Sequence, residues 1–258
     1  MPAVRSGHRG RATGVAHARQ RGRARRRRHA VIPAGLPRRY AAWSLDATII
    51  ALVALALCAG PVAEGWRRGS EALSSLADAM ATMMLQAMQA GMSPLALLRA
   101  WTADPVLHAA AARLASAIAT TTWPPLLAFA LLSGAYFVAF EASRWQATPG
   151  KRVLGLRVVD ACGGRLRLPR VAWRHAAGAL SWLSLNIGHA MAALPPQRRA
   201  LHDAIAQARV VQVAGDEAPL PAWAKAWLAL QALLAVAAFA WLFRAVDAAT
   251  QAAFDRLL

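Results

Sequence analysis

Between Tyr40 and Gly60 the chain runs through 21 residues with a single charged side chain, Asp46. A helical stretch of that length matches the hydrocarbon thickness of a bilayer. The carboxylate inside it is the tightest constraint on the fold. At the bilayer centre such a group costs about 2.5 to 3.5 kcal/mol on insertion scales, so it faces a partner or a wet cavity. Arg39 precedes Asp46 by seven residues, two helical turns, which puts both on one face about 10 Å apart along the axis. Asp46 therefore reads either as a functional group or as half of a structural pair between helices.

Three further segments are long and apolar enough to meet a bilayer: Leu114 to Phe140, Val171 to Leu194 and Trp223 to Phe243. The chain is 57% hydrophobic and 16% charged, with ten tryptophans, which is far from a soluble composition. Trp43, Trp66, Trp123, Trp145, Trp223 and Trp241 fall near segment ends, where amphipathic rings favour the headgroup level. The expected fold is an all-α polytopic membrane protein with three to four membrane helices and a small cytoplasmic β-hairpin or strand element. Continuous helical runs, as opposed to alternating strands, place it in a cytoplasmic-type membrane and exclude an outer-membrane barrel.

The first 39 residues hold twelve arginines and no acid, within a net charge of +18. They lack the large apolar residues a core needs. The tail reads as a solvated anchor of a cytoplasmic N-terminus, a patch for anionic lipid, or a nucleic-acid arm. The absence of aromatics between Met1 and Pro37 argues against stacking on nucleic acid. The expected division is a disordered Arg-rich tail over 1–37, a membrane domain over 38–213 with an outer loop at 61–113, and a C-terminal membrane helix with a short amphipathic tail over 214–258.

Basic residues set the topology. With the tail inside, the first helix exits near Gly60 and the second returns near Glu141 to a loop bearing Arg144, Lys151, Arg152, Arg157, Arg165, Arg167 and Arg170 against Asp160. The outer loop contains a predicted helix from Glu71 to Ala90, closed by Gly91 and Pro94. Its Met80, Met83, Met84, Met88 and Met92 lie mostly on one stripe, which reads as a surface for another helix or for lipid ahead of a soft-metal site. Cys58 and Cys162 fall on opposite faces of this topology and read as free thiols.

Past the second helix, Thr148-Pro149-Gly150-Lys151 signals a turn and Val153 to Asp160 alternates as a strand does. Cys162-Gly163-Gly164 then turns the chain toward Leu166 to Leu168, a small hairpin at the membrane surface. Gly150-Lys151 lacks the upstream glycine and the following Ser or Thr of a phosphate loop. Near the end, Arg199 precedes Asp203 by four residues and His202 by three, so Arg199 is positioned to pair with Asp203 while His202 points elsewhere, a geometry unsuited to a shared metal. Arg209 to Val213 has strand character and suits pairing with Val153 to Asp160. That pairing requires Val171 to Leu194 to re-enter or lie at the interface, broken around Asn186 to Gly188; the alternative is a clean fourth crossing.

Three motifs in order, Arg38-Arg39-Tyr40-Ala41-Ala42-Trp43-Ser44-Leu45-Asp46, Phe140-Glu141-Ala142-Ser143 with Thr148-Pro149-Gly150-Lys151-Arg152-Val153-Leu154-Gly155-Leu156-Arg157-Val158-Val159-Asp160, and Arg198-Arg199-Ala200-Leu201-His202-Asp203, resemble the RDD family of bacterial membrane proteins. The family's name-giving arginine and two aspartates fall on Arg39, Asp46 and Asp203. Gln207 and Ala208 depart from the Gly and Thr common there. The resemblance covers roughly Arg38 to Val213 and implies a multi-pass protein of the bacterial inner membrane that transports an ion or small ligand.

The candidate polar cluster comprises Arg39, Asp46, Glu141, Lys151, Arg199, His202 and Asp203, with no catalytic group, metal or cofactor expected. Two function classes compete. One is ion- or proton-coupled transport through an intramembrane carboxylate, the other a non-catalytic scaffold or accessory subunit whose Arg/Asp cluster fixes helix packing. An enzyme ranks behind both, because intramembrane catalysis needs paired groups at depth and only Asp46 reads as buried. The expected partners are the lipid bilayer, anionic lipid at the tail, and a second copy or another membrane protein.

Overall fold

The computed structural model describes residues 32–213 and 219–256, so the reading of the Arg-rich tail over 1–31 falls outside the described residues. In chain order the elements are β1 (Ile32–Pro33), α1 (Leu36–Leu57), α2 (Ala59–Gln89), α3 (Pro94–Ala103), α4 (Pro105–Ala142), α5 (Pro149–Val153), β2 (Leu156–Asp160), α6 (Leu168–Leu183), α7 (Ile187–Ala190), a 3-10 turn (Met191–Ala193), α8 (Leu201–Ile205), β3 (Ala208–Gln212) and α9 (Ala222–Asp255). Helices α1, α4 and α9 are long and apolar enough to cross a membrane. The chain is an integral, mostly helical membrane protein with one small antiparallel sheet. The described residues divide into two compact units, one formed by 32–44 with 136–213 and 219–220, the other by 45–135 with 221–256.

The first unit is organised by the sheet, whose order is β1-β3-β2. β3 is central because its Ala208, Val210 and Val211 are all buried, which suits a strand covered on both sides. Leu156 faces Gln212 and Asp160 faces Ala208, the pairing expected between the 150s and the 200s. The local hairpin does not form. Leu166 to Leu168 is no strand, and the Asp160 carboxylate instead accepts from the Cys162 and Gly164 amides at 2.8 and 2.7 Å, closing a turn that sends the chain into α6. Val153 likewise ends α5, so the strand starts later, at Leu156. β1 pairs with β3 and α1 begins at Leu36, so residues 32–37, expected to belong to the tail, are part of the folded unit.

Since β2 and β3 are partners, the segment joining them leaves and returns to the same sheet. It makes no single crossing. α6 has 16 residues, about 24 Å of helix, which is short of a bilayer core. Its buried stripe is Val171, Arg174, Ala177 and Ser181, at spacings of three, three and four, while Trp173, Leu180 and Leu183 stay exposed on the remaining face. Asn186 at φ +66° then breaks the chain before α7, where the polar Asn-Ile-Gly sequence forecast a break. The clean fourth span is thereby excluded, and three candidate spans remain among the described residues.

The second unit holds α2, α3 and the parts of α1, α4 and α9 assigned to it. α2 starts at Ala59, well before the helix expected from Glu71, and ends as forecast at Gly91, whose φ of +60° supplies the left-handed residue of a C-terminal cap. The short amphipathic tail expected after the last membrane segment is a continuation of α9. Trp66 stacks on Trp241 at 5.4 Å and Arg256 pairs with Asp78, so α2 and α9 run in the same direction. The buried face of α2 is built of Gly65, Ala72, Ala77, Ala81 and Ala87, not of the methionine stripe; Met80 and Met88 are exposed. Both cysteines are free.

Gly65 marks the tightest helix contact. A Cβ there would stand 2.0 Å from Thr121 Oγ1 and 3.0 Å from Thr121 Cα, so α2 and α4 touch backbone to backbone. Gly69, one turn on, has nothing within 4 Å. Gly65→Ala should therefore destabilise the detergent-solubilised protein by about 1 to 3 kcal/mol through overpacking, whereas Gly69→Ala should stabilise it by up to about 1 kcal/mol through helix propensity. Thermal unfolding followed by circular dichroism checks the opposite signs.

Candidate functional site: a buried ion-pair ladder

Arg174 sits on the buried stripe of α6 and joins two carboxylates. Its Nη1 donates to Glu141 Oε2 at 2.7 Å, and its Nε and Nη2 donate to Asp203 Oδ1 at 2.9 and 2.7 Å. Glu141, at the end of α4, also accepts from Lys151 of α5. Asp203, in the first turn of α8, accepts on Oδ2 from Arg39 Nη1 at 2.5 Å and from the Ala200 amide at 3.3 Å. Alanine at the N-cap offers no side-chain acceptor, so this is only the return half of a capping box. Arg39, near the start of α1, spends its remaining donors on the carbonyls of Ala34, Arg198 and Val210.

The result is a continuous ladder, Lys151, Glu141, Arg174, Asp203, Arg39, in which each anion lies between two cations. Glu141, Asp203, Lys151 and Arg174 are all buried. Isolated ions there would be prohibitive; alternating sign and near-complete hydrogen bonding compensate the desolvation. Burial alone would raise the Asp203 carboxyl, but Arg174 and Arg39 outweigh it and hold the group well below the usual carboxylate range. Desolvation would lower the Arg174 guanidinium, yet Glu141 and Asp203 raise it above its ordinary value. Asp203 and Arg174 are thus held in their charged forms. Aromatic rings wall it: Phe137 lies under Lys151 at 4.9 Å and against His175 at 5.9 Å.

Of the residues singled out in the sequence, Arg39, Glu141, Lys151 and Asp203 meet in this ladder. Arg199 does not pair with Asp203. That place is taken by Arg39 and Arg174, and the Arg199 Nε is buried without a hydrogen-bond partner. The four-residue spacing assumed a helix through Arg199, but α8 begins only at Leu201, so the helical face never exists. His202 does not point away from Asp203 either: its Nε2 lies 3.4 Å from Oδ1. Its ring also packs 5.2 Å from His189, and the Nδ1 atoms of both rings are buried without a hydrogen-bond partner. Burial, then the neighbouring Arg174, push His202 down to about 3, so it stays neutral. No group of three or more metal-ligating side chains occurs among the described residues. Asp46 is fully buried at the middle of α1, and Asp46, Glu141 and Asp203 are all buried acids, where only the first was expected to be.

Arg174 is the site residue that sequence reasoning missed. The signal was present: an arginine in register with Val171, Ala177 and Ser181 on the apolar stripe of an amphipathic helix. A cation at such a position requires buried anions.

The family model described as the RDD family matches residues 33–207. The chain belongs to the RDD family. The uncharacterised protein YxaI of Bacillus subtilis (strain 168) is 36% identical over 88 residues, 34% of this chain and 58% of that protein. The chain therefore spans less than two thirds of that relative's length. No solved structure matches it. In this RDD chain the departure at Gln207 has a visible consequence: its φ is +49°, the left-handed region in which the common glycine carries no strain. The Gln207 side chain compensates in part by accepting from Arg170 at 2.7 Å.

Removing Arg174 leaves two buried carboxylates with half their cations. Arg174→Met should cost about 3 to 5 kcal/mol, read as a loss of monodisperse protein on gel filtration or a large fall in unfolding temperature. The pH response follows from His202 and Asp203. A base held neutral in the fold but charged when unfolded contributes stability above its unfolded pKa of about 6.5 and loses it as pH falls toward about 3. Asp203, lowered in the fold, adds a second loss below the ordinary carboxylate range. Unfolding temperature should therefore fall steadily between pH 7 and pH 4, and His202→Gln should flatten that slope; His175 and His189, also lowered chiefly by burial, account for what remains.

Proposed function

We propose that this chain is a non-catalytic membrane scaffold or accessory subunit whose ion-pair ladder holds a fixed surface for a second membrane chain or a second copy of itself. The observation that supports it is the double satisfaction of both ladder carboxylates. A carboxylate that exchanges protons or cations must change state, and Glu141 and Asp203 each carry two cationic partners that oppose such a change. On this reading the sheet and the basic segment after α4 lie in the cytoplasm and the segment over 61–113 lies outside, in a bacterial inner membrane, because the basic residues cluster on the sheet's segments.

One observation favours the transport reading: Asp46. It is fully buried eleven residues into a 22-residue helix, the depth at which ionisable groups mark ion paths. In a transporter Asp46 would bind and release a proton or cation while the ladder serves as the static frame.

Proteoliposomes separate the two. The scaffold reading expects no cation-dependent pH change from well-folded wild-type protein, and expects Asp46→Asn to impair expression or assembly. Flux from wild type that disappears in a well-folded Asp46→Asn variant contradicts it and establishes the carboxylate as a transport group.

A further inference from the structure

The second unit carries a polar cleft between α2 and α4. From the Gly65–Thr121 pinch the two helices diverge in opposite chain directions, and the space that opens has a volume of about 340 Å³. Ala72 and Ala117, both buried, form its floor. Arg68 and Arg113 stand on its two walls. Counted from the pinch, Arg68 lies three residues along α2 and Arg113 eight residues back along α4, so their backbones are offset by about 7 to 8 Å along the groove at 1.5 Å per residue. Two long side chains at that offset can converge on one oxyanion.

Their donors are available. Arg68 spends only Nε on a carboxylate, that of Glu64 at 2.7 Å, and that pair is solvent-exposed and weak. Among the described residues Arg113 makes only a long contact, 3.4 Å, from Nε to the Ala109 carbonyl. The one acid in the lining, Glu71, is paired with Arg67 at 2.6 Å. The Ser116 hydroxyl in the lining donates to no group among the described residues and adds a neutral donor. The cleft thus presents two guanidinium groups and a hydroxyl against one carboxylate, Glu71, whose exposed pair with Arg67 partly offsets its charge, and this net positive lining is chemistry for a phosphate.

Its level in the membrane says where that phosphate comes from. Trp66 stacks on Trp241, and Trp123 follows Thr121 by two residues, so the pinch lies in a belt of three exposed tryptophans. Such belts sit at the headgroup level. Ala222 to Trp241 and Trp123 to Ala142 each span 20 residues, the length of a bilayer core. Arg68 lies two residues beyond Trp66 on α2, where lipid phosphates sit.

We infer that the α2–α4 cleft is an oxyanion site that holds a phosphate through Arg68 and Arg113, with the headgroup of an anionic phospholipid as its source. The test uses the full chain purified in a neutral detergent, as wild type, as the double variant Arg68→Gln/Arg113→Gln, and as Arg99→Gln, an exposed control outside the cleft. Phosphatidylglycerol is titrated in one arm and inorganic phosphate in the other, with bound lipid counted by native mass spectrometry and phosphate read from tryptophan fluorescence. Wild type and the control should bind phosphatidylglycerol alike, and the double variant about tenfold more weakly, while its unfolding temperature stays close to wild type. Binding of inorganic phosphate without preference for the lipid supports the oxyanion site and reassigns its source. Equal binding of both ligands by wild type and the double variant, or equal loss in the control, overturns the proposal.

Discussion

Arg174 bridging Glu141 and Asp203 is the contact on which the first unit depends. It is one side chain reaching two carboxylates from different elements, and each carboxylate is in turn held by a further cation, Lys151 or Arg39. Through those five residues the starts of α1 and α8, the end of α4, and α5 and α6 are tied to one another. Arg39 extends the tie to the sheet by donating to the Val210 carbonyl of β3. Hydrophobic burial in this unit involves few large side chains; Leu154, Leu156, Val158 and Val171 are the largest that are fully enclosed. A polar ladder specifies geometry that such a core leaves open, because ion pairs demand particular partners where apolar contacts accept many.

The same argument separates roles among the acids. Glu141 and Asp203 each lie between two cations, which suits a permanent fastening. Asp46 belongs to a helix of membrane length and lies near its middle, where an ionisable group is retained only at a cost. The sequence motifs group all three acids into one polar cluster; in the structure Glu141 and Asp203 share Arg174, and the proposed scaffold reading takes that ladder as static.

Much of this was legible in the sequence because membrane-length apolar runs, strand alternation and basic loops are each strong local signals. The spans at α1, α4 and α9, the pairing of the 150s with the 200s, and the break at Asn186 all followed from such patterns. What escaped were features fixed by tertiary context. The hairpin was drawn toward Leu166 by its glycines, but β3 offered a better-buried partner. Helical spacing points to Arg199 as the partner of Asp203, whereas Arg174, which takes that place, lies far from Asp203 in sequence and close in space. Apolar character fades near Phe243, but α9 continues to Asp255 with Ala249 and Ala253 packed against α2.

If the ladder acts as one unit, its two carboxylates are coupled although they do not touch. A double-mutant cycle on Glu141→Gln and Asp203→Asn, read from denaturant unfolding in a single detergent, measures that coupling directly. The ladder account predicts a strongly non-additive cycle, with an interaction energy of about 1 kcal/mol or more, because either single change already unbalances Arg174. Additivity within about 0.3 kcal/mol would show that the two pairs act independently and would contradict the account.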